Sequence, residues 1–337
     1  MNRFDYVRAS SIDDAIRALQ RPGAKVLAGG TNLVDLMKYD VAKPSCVVDI
    51  NRLPLGRIEA LDDGGLRLGA LVPNADAAYH DLVLRRAPLV ASAILAGASP
   101  QLRNAATTGG NLLRRTRCFY FYDPDMPCNK RDPGSGCPAI GGVNRMHAIL
   151  GASGACVAVH PSDMCVALAA LDARINVVGP TGGRVIPMGE FHRLPGTQPE
   201  IDTTLAVDEV ITSVELPPWS FGSHYTYIKV RDRLSYAFAL VSVAATVRLE
   251  GDRIAEARLA MGGVAHKPWR DLEAERSLIG KRATPEAFES VAAMVLASAV
   301  GLTHNSFKID LARRVIVRAL EQASAGTPQS QTDKRIG

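Results

Sequence analysis

The sequence lacks the signatures of several common protein classes. Its N-terminus, MNRFDYVRASS, has no apolar signal core, and no segment approaches the roughly 20 apolar residues of a membrane span. No Lys/Arg-rich block interleaved with aromatic residues is present, so we expect no nucleic-acid partner. The GxGxxG, P-loop, H-x-x-x-H and Gly-x-Ser-x-Gly motifs are missing, which disfavours a classical Rossmann site, an NTPase, a zinc protease and a serine hydrolase.

The composition is that of a soluble globular protein. The 337 residues are 47% hydrophobic and 22% charged, with a net charge of +5 and only 5% aromatic residues. This length favours two or three subdomains over a single core. The chain carries no export signal of its own, so we expect it in the cytoplasm unless another subunit carries it elsewhere.

Local patterns in the first 218 residues predict mixed helices and strands. Residues 11–14 resemble a capping box, and apolar residues at helical spacing follow it up to Arg21-Pro22-Gly23. Asp62-Asp-Gly-Gly65 predicts a hairpin turn. The predicted strands are 25–28, 46–50, 58–61, 66–71, 174–178 and 210–216, and the predicted helices are 33–39, 74–98 (interrupted at Pro88) and 164–170.

Pro217-Pro218 is the predicted domain boundary. After it we predict antiparallel strands at 225–230, 238–249 and 254–261, then helices at 285–299 and 309–323. The predicted domains are 1–218, with subdomains of about 1–55 and 56–218, and 222–325; the polar tail 326–337 is expected to be disordered.

Two glycine turns have the same chemistry. Ala28-Gly-Gly-Thr-Asn-Leu33 and Thr108-Gly-Gly-Asn111 each place two glycines before an asparagine. Glycine lets the backbone approach a ligand closely, and the free amides at a helix start attract an anion. A tight turn without a ligand is the alternative at each position, but two such loops predict a grip on one pyrophosphate-bearing cofactor.

Four of the six cysteines lie in one insertion, at about residues 114–158. Cys118, Cys128, Cys137 and Cys156 lack the C-x₂₋₄-C pairs of zinc sites and the C-x₂-C-x₂-C run of ferredoxins. Spacing therefore leaves an iron–sulfur cluster, zinc and unligated thiols open. The cations near these cysteines favour an anionic cluster: Arg114, Arg115, Arg117, Lys130 and Arg131. Cys46 and Cys165 look like core thiols.

These motifs carry a family resemblance. The two glycine turns, Lys229-Val-Arg-Asp-Arg233, and Gly262-Gly263-Val264 with Pro268 resemble the FAD-binding (medium) subunit of the molybdenum hydroxylases, which include xanthine dehydrogenase, carbon monoxide dehydrogenase and aldehyde oxidoreductase. The resemblance covers about residues 1–325. It implies an α+β fold: a vanillyl-alcohol-oxidase-type (PCMH) FAD-binding domain of two α+β subdomains, then a C-terminal α+β domain of the CO dehydrogenase flavoprotein type, an antiparallel sheet with helices.

The resemblance also implies a cofactor site. The FAD pyrophosphate would be held by Leu27, Ala28, Gly29, Gly30, Thr31, Asn32, Leu33, Thr108, Gly109, Gly110 and Asn111. Asp163 would bind ribityl hydroxyls, although Ser162 and Asp163 also resemble helix N-caps. Lys229 would lie near the isoalloxazine ring, where its charge favours the reduced anionic form, although a solvated lysine is the alternative.

The cysteine insertion resembles that of the FAD subunits of bacterial periplasmic aldehyde oxidoreductases, which hold a [4Fe–4S] cluster. By this resemblance Cys118, Cys128, Cys137 and Cys156 would ligate the cluster; the 4-hydroxybenzoyl-CoA reductase flavin subunit also has one, with different cysteine spacing. Metal–thiolate bonds would replace the apolar core that so polar a segment cannot build. We expect the cluster to act as a structural clip more than as a redox site.

The implied function is electron transfer in a heterotrimer. A large molybdopterin subunit would oxidise an aldehyde, and two [2Fe–2S] clusters of a small subunit would pass electrons to FAD here and on to an external acceptor. No substrate acid or base is needed on this chain, and a signal-bearing partner would carry it to the periplasm. The alternatives are a xanthine dehydrogenase or 4-hydroxybenzoyl-CoA reductase-like subunit, a self-sufficient flavin oxidase, and a zinc-stabilised scaffold.

Overall fold

Three separate β-sheets organise residues 1–333, the part of the chain that this computed structural model describes. The first is a three-stranded parallel sheet in the order β1-β3-β2. Ser11 caps its first helix, because its hydroxyl accepts the Asp14 amide at 3.1 Å, as the capping box predicts. The elements are β1 (Asp5–Arg8), α1 (Ile12–Leu19), β2 (Ala24–Leu27), α2 (Leu33–Lys38) and β3 (Cys46–Asp49).

The second sheet is five-stranded and antiparallel, in the order β4-β5-β8-β6-β7. The predicted hairpin is confirmed, with Ile58 opposite Leu68. The predicted helix 74–98 is three helices, and Pro88 begins the last of them. The elements are β4 (Ile58–Ala60), β5 (Leu66–Gly69), α3 (Asn74–Tyr79), α4 (Asp81–Arg86), α5 (Pro88–Ala96), α6 (Pro100–Ala105), α7 (Thr108–Leu112), α8 (Phe119–Tyr122), α9 (Asp163–Ala170), β6 (Arg174–Gly179), β7 (Gly182–Pro187), α10 (Met188–Phe191) and β8 (Val210–Leu216).

The cysteine insertion lies between α7 and α9 and is mostly irregular. Its composition argued against any helix, yet the single turn α8 forms inside it. Phe121 is fully buried there against Leu36 and Cys128. Tertiary burial of one aromatic ring therefore overrides the local preference for a loop.

The third sheet is antiparallel, in the order β12-β11-β10-β9, and carries the C-terminal helices. The helix predicted to end at residue 299 ends at Val295, because the chain then turns back and the Val300 amide donates to the Ile149 carbonyl. The elements are β9 (Tyr225–Val230), β10 (Val241–Glu250), β11 (Arg253–Gly262), β12 (Trp269–Arg270), α11 (Leu272–Arg276), α12 (Pro285–Val295) and α13 (Phe307–Ala325).

Helix α9 packs between helix α5 of the N-terminal domain and the C-terminal sheet. All eight of its residues are buried, and it packs against α5, β10 and β11. A Cβ at Gly262 would lie 2.5 Å from Val166 of α9, so only glycine permits this approach of helix and strand. Residues at the start of α9 therefore face the C-terminal domain.

The described chain after α13 is irregular but is hydrogen-bonded to strand β9. We predicted a disordered tail over 326–337; its described part differs, since the Gln329 amide donates to Thr226 Oγ1 and the Gln331 side chain to the Tyr227 carbonyl. Residues 334–337 of that prediction lie outside the described residues. No helix within residues 1–333 has both the length and the apolar content to cross a membrane.

Candidate functional site

The first glycine turn joins β2 to α2 and leaves its backbone amides without partners. Gly30 has φ +70°, a left-handed conformation that favours glycine. The α2 hydrogen bonds start only with the Val34 amide, which donates to the Gly30 carbonyl at 3.1 Å. Throughout the described chain, the amides of residues 29–33 make no hydrogen bond. Five consecutive free N–H groups at a helix start suit an anion.

The second glycine turn starts α7, and its amides are already bonded. The amides of Thr108 and Gly109 donate to the carbonyls of Val72 and Ala70, at 2.9 and 2.8 Å. The Gly110 amide donates to Thr107 Oγ1 at 3.2 Å. These bonds hold the turn in one conformation. Its contribution to binding an anion comes from the placement of the turn and from the dipole of helix α7 more than from free amides.

The first glycine turn contacts the residues on either side of the second. A Cβ built on Gly29 would lie only 1.7 Å from the carbonyl oxygen of Ala105, the last residue of α6, so glycine is required where the first turn passes the end of that helix. Asn32 Nδ2 also donates to the Leu113 carbonyl, at 3.2 Å. The structure therefore brings together the two loops that the sequence predicted to bind one ligand.

Asp163 and Lys229 form a buried ion pair beside these turns. Lys229 Nζ lies 2.8 Å from Asp163 Oδ2, and both side chains are less than 10% exposed. The Tyr227 hydroxyl donates to Asp163 Oδ1 at 2.7 Å. Burial lowers the pKa of Lys229, an effect that the Asp163 carboxylate opposes. Ser162 is the N-cap of α9, accepting from the Cys165 amide, which leaves the Asp163 carboxylate for these contacts.

Tyr227 was missed by sequence reasoning. It lies two residues before Lys229 on β9, so both side chains are on one face of the strand. The two-residue repeat of side-chain direction in a β-strand could have predicted that Tyr227 lies beside Lys229. Phe238 was missed as well. The guanidinium of Arg117, which the sequence suggested only as a cation near the cysteines, lies 5.7 Å from the Phe238 ring centroid. No sequence spacing connects residues so far apart.

The larger of two neighbouring cavities, which is partly open to solvent, lies between the N-terminal domain and the C-terminal sheet. Asp163 and Ser162 line one side of it, and Gly262 and Gly263 line the other. Lys229 does not line this cavity and reaches it through Asp163. A carboxylate held in place by a cation and a phenol is therefore presented to this cavity.

The smaller cavity is lined by all four cysteines of the insertion. All six cysteines of the chain are free thiols, and Cys46 and Cys165 do not line this cavity. A hydrogen bond between Cys156 and Cys137 lowers the pKa of the Cys137 thiol and raises that of Cys156. Burial raises the pKa of Cys118 to about 11.

The donor set fits a cluster better than a single ion. Thiolates around one zinc ion lie about 3.8 Å apart for a bond length of about 2.3 Å. Among the described residues, three ligand atoms within 4.8 Å of one another occur only at His160, Cys165 and His192, not among the insertion cysteines. Four thiols around one wider cavity match the requirements of a cluster core.

His160, Cys165 and His192 are poorly prepared for a metal. His192 Nε2 lies 2.8 Å from the Leu112 carbonyl and is its donor, which leaves Nδ1 free. His160 Nδ1 instead accepts the Ser162 amide, so its proton lies on Nε2, the nitrogen that would have to bind an ion. Burial lowers the pKa of His192 to about 4 and that of His160 as well.

The cations around the insertion are mostly paired inside the protein. Asp202 binds both Lys130 and Arg115, the latter at 2.7 Å, and Asp35 binds Arg117 at 2.5 Å. Arg131 donates to backbone carbonyls, including that of Phe121 at 2.8 Å. Much of the positive charge that the sequence suggested as stabilising a cluster therefore serves to tie the insertion to its surroundings.

Comparison with known proteins gives matches along nearly the whole chain. The family description "FAD binding domain in molybdopterin dehydrogenase" matches residues 2–219, and "CO dehydrogenase flavoprotein C-terminal domain" matches residues 225–323. The aldehyde oxidoreductase FAD-binding subunit PaoB of Escherichia coli (strain K12) is 49% identical over 327 residues, covering 96% of this chain and 99% of the relative.

More distant relatives share the architecture. The carbon monoxide dehydrogenase medium chain of Hydrogenophaga pseudoflava is 27% identical over 329 residues, covering 96% of this chain and 98% of the relative. A crystal structure of carbon monoxide dehydrogenase from this organism, lacking the Mo-pyranopterin moiety, superposes with a TM-score of 0.76 at 26% identity, covering 96% of this chain and 98% of that one. The predicted α+β fold class, with its antiparallel C-terminal sheet, is confirmed.

Proposed function

Because the chain belongs to the family of FAD-binding subunits of molybdopterin dehydrogenases, as its glycine turns predicted, we propose that it is the electron-transfer flavoprotein subunit of a molybdenum-dependent aldehyde oxidoreductase. The relative that is 49% identical bears an aldehyde oxidoreductase name and aligns over 99% of its length. The structural observation that carries the proposal is the run of five free amides at residues 29–33, held against Ala105 and Leu113 on either side of the second glycine turn.

The residues of the two turns fit FAD. The free amides of residues 29–33 would bind the pyrophosphate, with Thr108–Asn111 fixing their position and adding the start of α7. Asp163 would accept hydrogen bonds from ribityl hydroxyls, since it lines the larger cavity. Lys229 would hold that carboxylate in place and supply positive charge near the ring. When bound, FAD supplies redox chemistry that exchanges electrons singly or in pairs.

We propose that the insertion holds a [4Fe–4S] cluster through Cys118, Cys128, Cys137 and Cys156. Support comes from the cavity that all four cysteines line, and from the finding that in the described chain no three of their sulfurs lie within 4.8 Å of one another, as a single ion would need. The polar loop has few apolar contacts, so bonds from thiolates to a cluster would fix its shape.

The proposed partners are a large molybdopterin subunit and a small subunit with two [2Fe–2S] clusters, assembled as a heterotrimer. Aldehyde oxidation belongs to the large subunit, and electrons leave this chain for an external acceptor. The proposed compartment is the periplasm where a partner carries an export signal, and otherwise the cytoplasm. Cell fractionation of the tagged chain, with and without its partner genes, tests this assignment.

The test is cofactor analysis of the full chain purified without air. The proposal expects FAD together with about four iron and four sulfide ions per chain. Cys137→Ser should lose iron, whereas Cys46→Ser, at a buried cysteine of β3 outside the cavity, should retain it. Preparations free of both flavin and iron, or equal iron loss in the two variants, would contradict the assignment.

The activity is tested on the assembled complex. Tagged chain should co-purify with a large and a small subunit, and adding an aldehyde without an acceptor should bleach the flavin absorption. Alcohol oxidation by the isolated chain would instead favour a self-sufficient flavin oxidase. A complex that bleaches with a purine or another heterocycle, and not with aldehydes, would move the substrate class to that of a xanthine dehydrogenase.

A further inference from the structure

His147 contacts one cysteine of the insertion. Its Nε2 lies 3.1 Å from Cys118 Sγ, and the residue is only 3% exposed. Its other ring nitrogen, Nδ1, has no hydrogen-bond partner within residues 1–333. A neutral imidazole carries one N–H, which gains an acceptor only on Nε2. Nε2 is therefore the nitrogen that donates toward sulfur.

The C-terminal domain holds the backbone of His147 in place. Lys308 Nζ donates to the His147 carbonyl at 2.7 Å and to the Gly263 carbonyl at 2.6 Å. Asn305 Nδ2 donates to the His147 and Ala148 carbonyls, at 3.2 and 3.1 Å. Lys308 and Asn305 are both 0% exposed. A backbone held in place by two buried residues restricts where the His147 imidazole can lie, which a loosely packed segment would not do.

Cys118 and His147 lie where the two cavities meet. Both residues line the larger cavity beside Asp163 as well as the smaller cavity of the cysteines. Cys128, Cys137 and Cys156 line only the smaller one in the described chain. The Cys118 sulfur is thus the one that faces the proposed flavin side, and it is the one with a histidine donor.

We propose that His147 is a positioning residue of the cluster, donating an N–H···S hydrogen bond to Cys118 that raises the cluster's reduction potential. Reduction adds negative charge to the cluster and its sulfurs, so a donor at sulfur stabilises the reduced form more than the oxidised form. The inference rests on the proposed [4Fe–4S] cluster. It assigns to the C-terminal domain, through Lys308 and Asn305, a role in setting that potential.

The test is a redox titration of the cluster followed by electron paramagnetic resonance, on the full chain purified without air. His147→Leu removes the donor, and His147→Gln keeps an N–H at a similar distance. At the wild-type midpoint potential, we expect the reduced-to-oxidised ratio to fall about tenfold in His147→Leu, which is about 59 mV for one electron. His147→Gln should recover most of this shift.

The matched control is His266→Leu, which removes another buried histidine that lines neither cavity. Its cluster potential should equal that of the wild type. Equal potentials in His147→Leu and wild type, both with full iron content, would overturn the inference and leave the proposed cluster intact. A wild-type chain without iron and sulfide would instead defeat the proposed function itself.

A second measurement does not depend on the His147→Leu variant. Pulsed resonance of the reduced wild-type protein, labelled with ¹⁵N-histidine, should show one weak nitrogen coupling, as expected for a hydrogen bond to a ligand sulfur. The coupling should vanish in His147→Gln. Absence of any coupling, or a strong one that signals iron ligation by histidine, would overturn the inference even if His147→Leu fails to retain iron.

Discussion

Replacing Gly29 by alanine tests the contact between the first glycine turn and Ala105, which precedes the second turn. The new Cβ would lie 1.7 Å from the Ala105 carbonyl oxygen and 2.7 Å from its carbon, where no carbon atom fits. The obstacle is backbone, which cannot rotate away as a side chain can. Because Gly29 is outside the left-handed region, the effect of the substitution is steric and not conformational.

The expected size follows from this geometry. The first turn must move by more than about 1 Å, which is larger than the roughly 0.5 Å range of normal hydrogen-bond lengths. Overpacking of this kind costs about 3 kcal/mol of unfolding free energy. Loss of two amide bonds to a charged phosphate costs at least about 3 kcal/mol more in binding. We therefore expect FAD affinity to fall by about a hundredfold or more.

The assay measures FAD affinity by fluorescence titration of the flavin-free chain, and stability by urea unfolding. Gly56→Ala is the matched control, since its Cβ would meet no atom within 4 Å and Gly56 is exposed. Flavin content and an unfolding midpoint for Gly29→Ala equal to those of Gly56→Ala would refute the reasoning. That result would mean that Gly29 does not lie against the Ala105 carbonyl in the folded protein.

Three further substitutions test buried charges. Lys229→Met should cost about 3–5 kcal/mol of unfolding free energy by leaving Asp163 unpaired. Adding Asp163→Asn should recover part of this cost. If urea unfolding shows that the costs of the two single variants simply add in the double variant, the ion pair is contradicted. Burial lowers the pKa of His266 to about 3, so below about pH 6.5 the folded state binds fewer protons than the unfolded state, and the free energy of unfolding decreases as the pH is lowered. His266→Leu should abolish about 2 kcal/mol of that loss by pH 5. An unchanged pH profile of stability would disprove this prediction. Asp202→Asn should cost about 3 kcal/mol in urea unfolding, because it leaves the 1% exposed Lys130 side chain without its counter-ion.

The control for Asp202→Asn is Asp252→Asn. Asp252 pairs with Arg282 on the surface, where the two side chains are 62% and 69% exposed. Removing such a pair costs less than about 1 kcal/mol, because water and salt already screen it. Equal losses in both variants would show that burial does not decide the strength of the Asp202 contacts.

Local structure was largely predictable from the sequence. The Ser11 cap, the hairpin at residues 62–65 and strand β8 follow from short-range chemistry that involves only neighbouring residues. Strand β1 was not predicted, because Asp5–Arg8 is mostly polar and exposed and forms only by pairing with β3. The helix α8 was not predicted either, since the burial of Phe121 decides it.

The types of group at the candidate site were also readable along the chain. Paired glycines before asparagine indicate turns that can face an anion, and four cysteines in a polar insertion leave a cluster, zinc and unligated thiols open. These conclusions need only the chemistry of a residue and its near neighbours. The family and the fold class followed from the resemblance of the motifs to a known family, so the sequence alone determined them and named the candidate ligands.

Tertiary structure alone decided which groups meet. Asp163 is paired with Lys229 across 66 positions, and Gly29 passes Ala105 at a distance that only packing sets. His147 meets Cys118 across 29 positions, and Lys308, on a helix far along the chain, binds the His147 carbonyl. Such contacts arise from the packing of sheets and helices against one another, and no local pattern encodes the distance between two side chains on different elements.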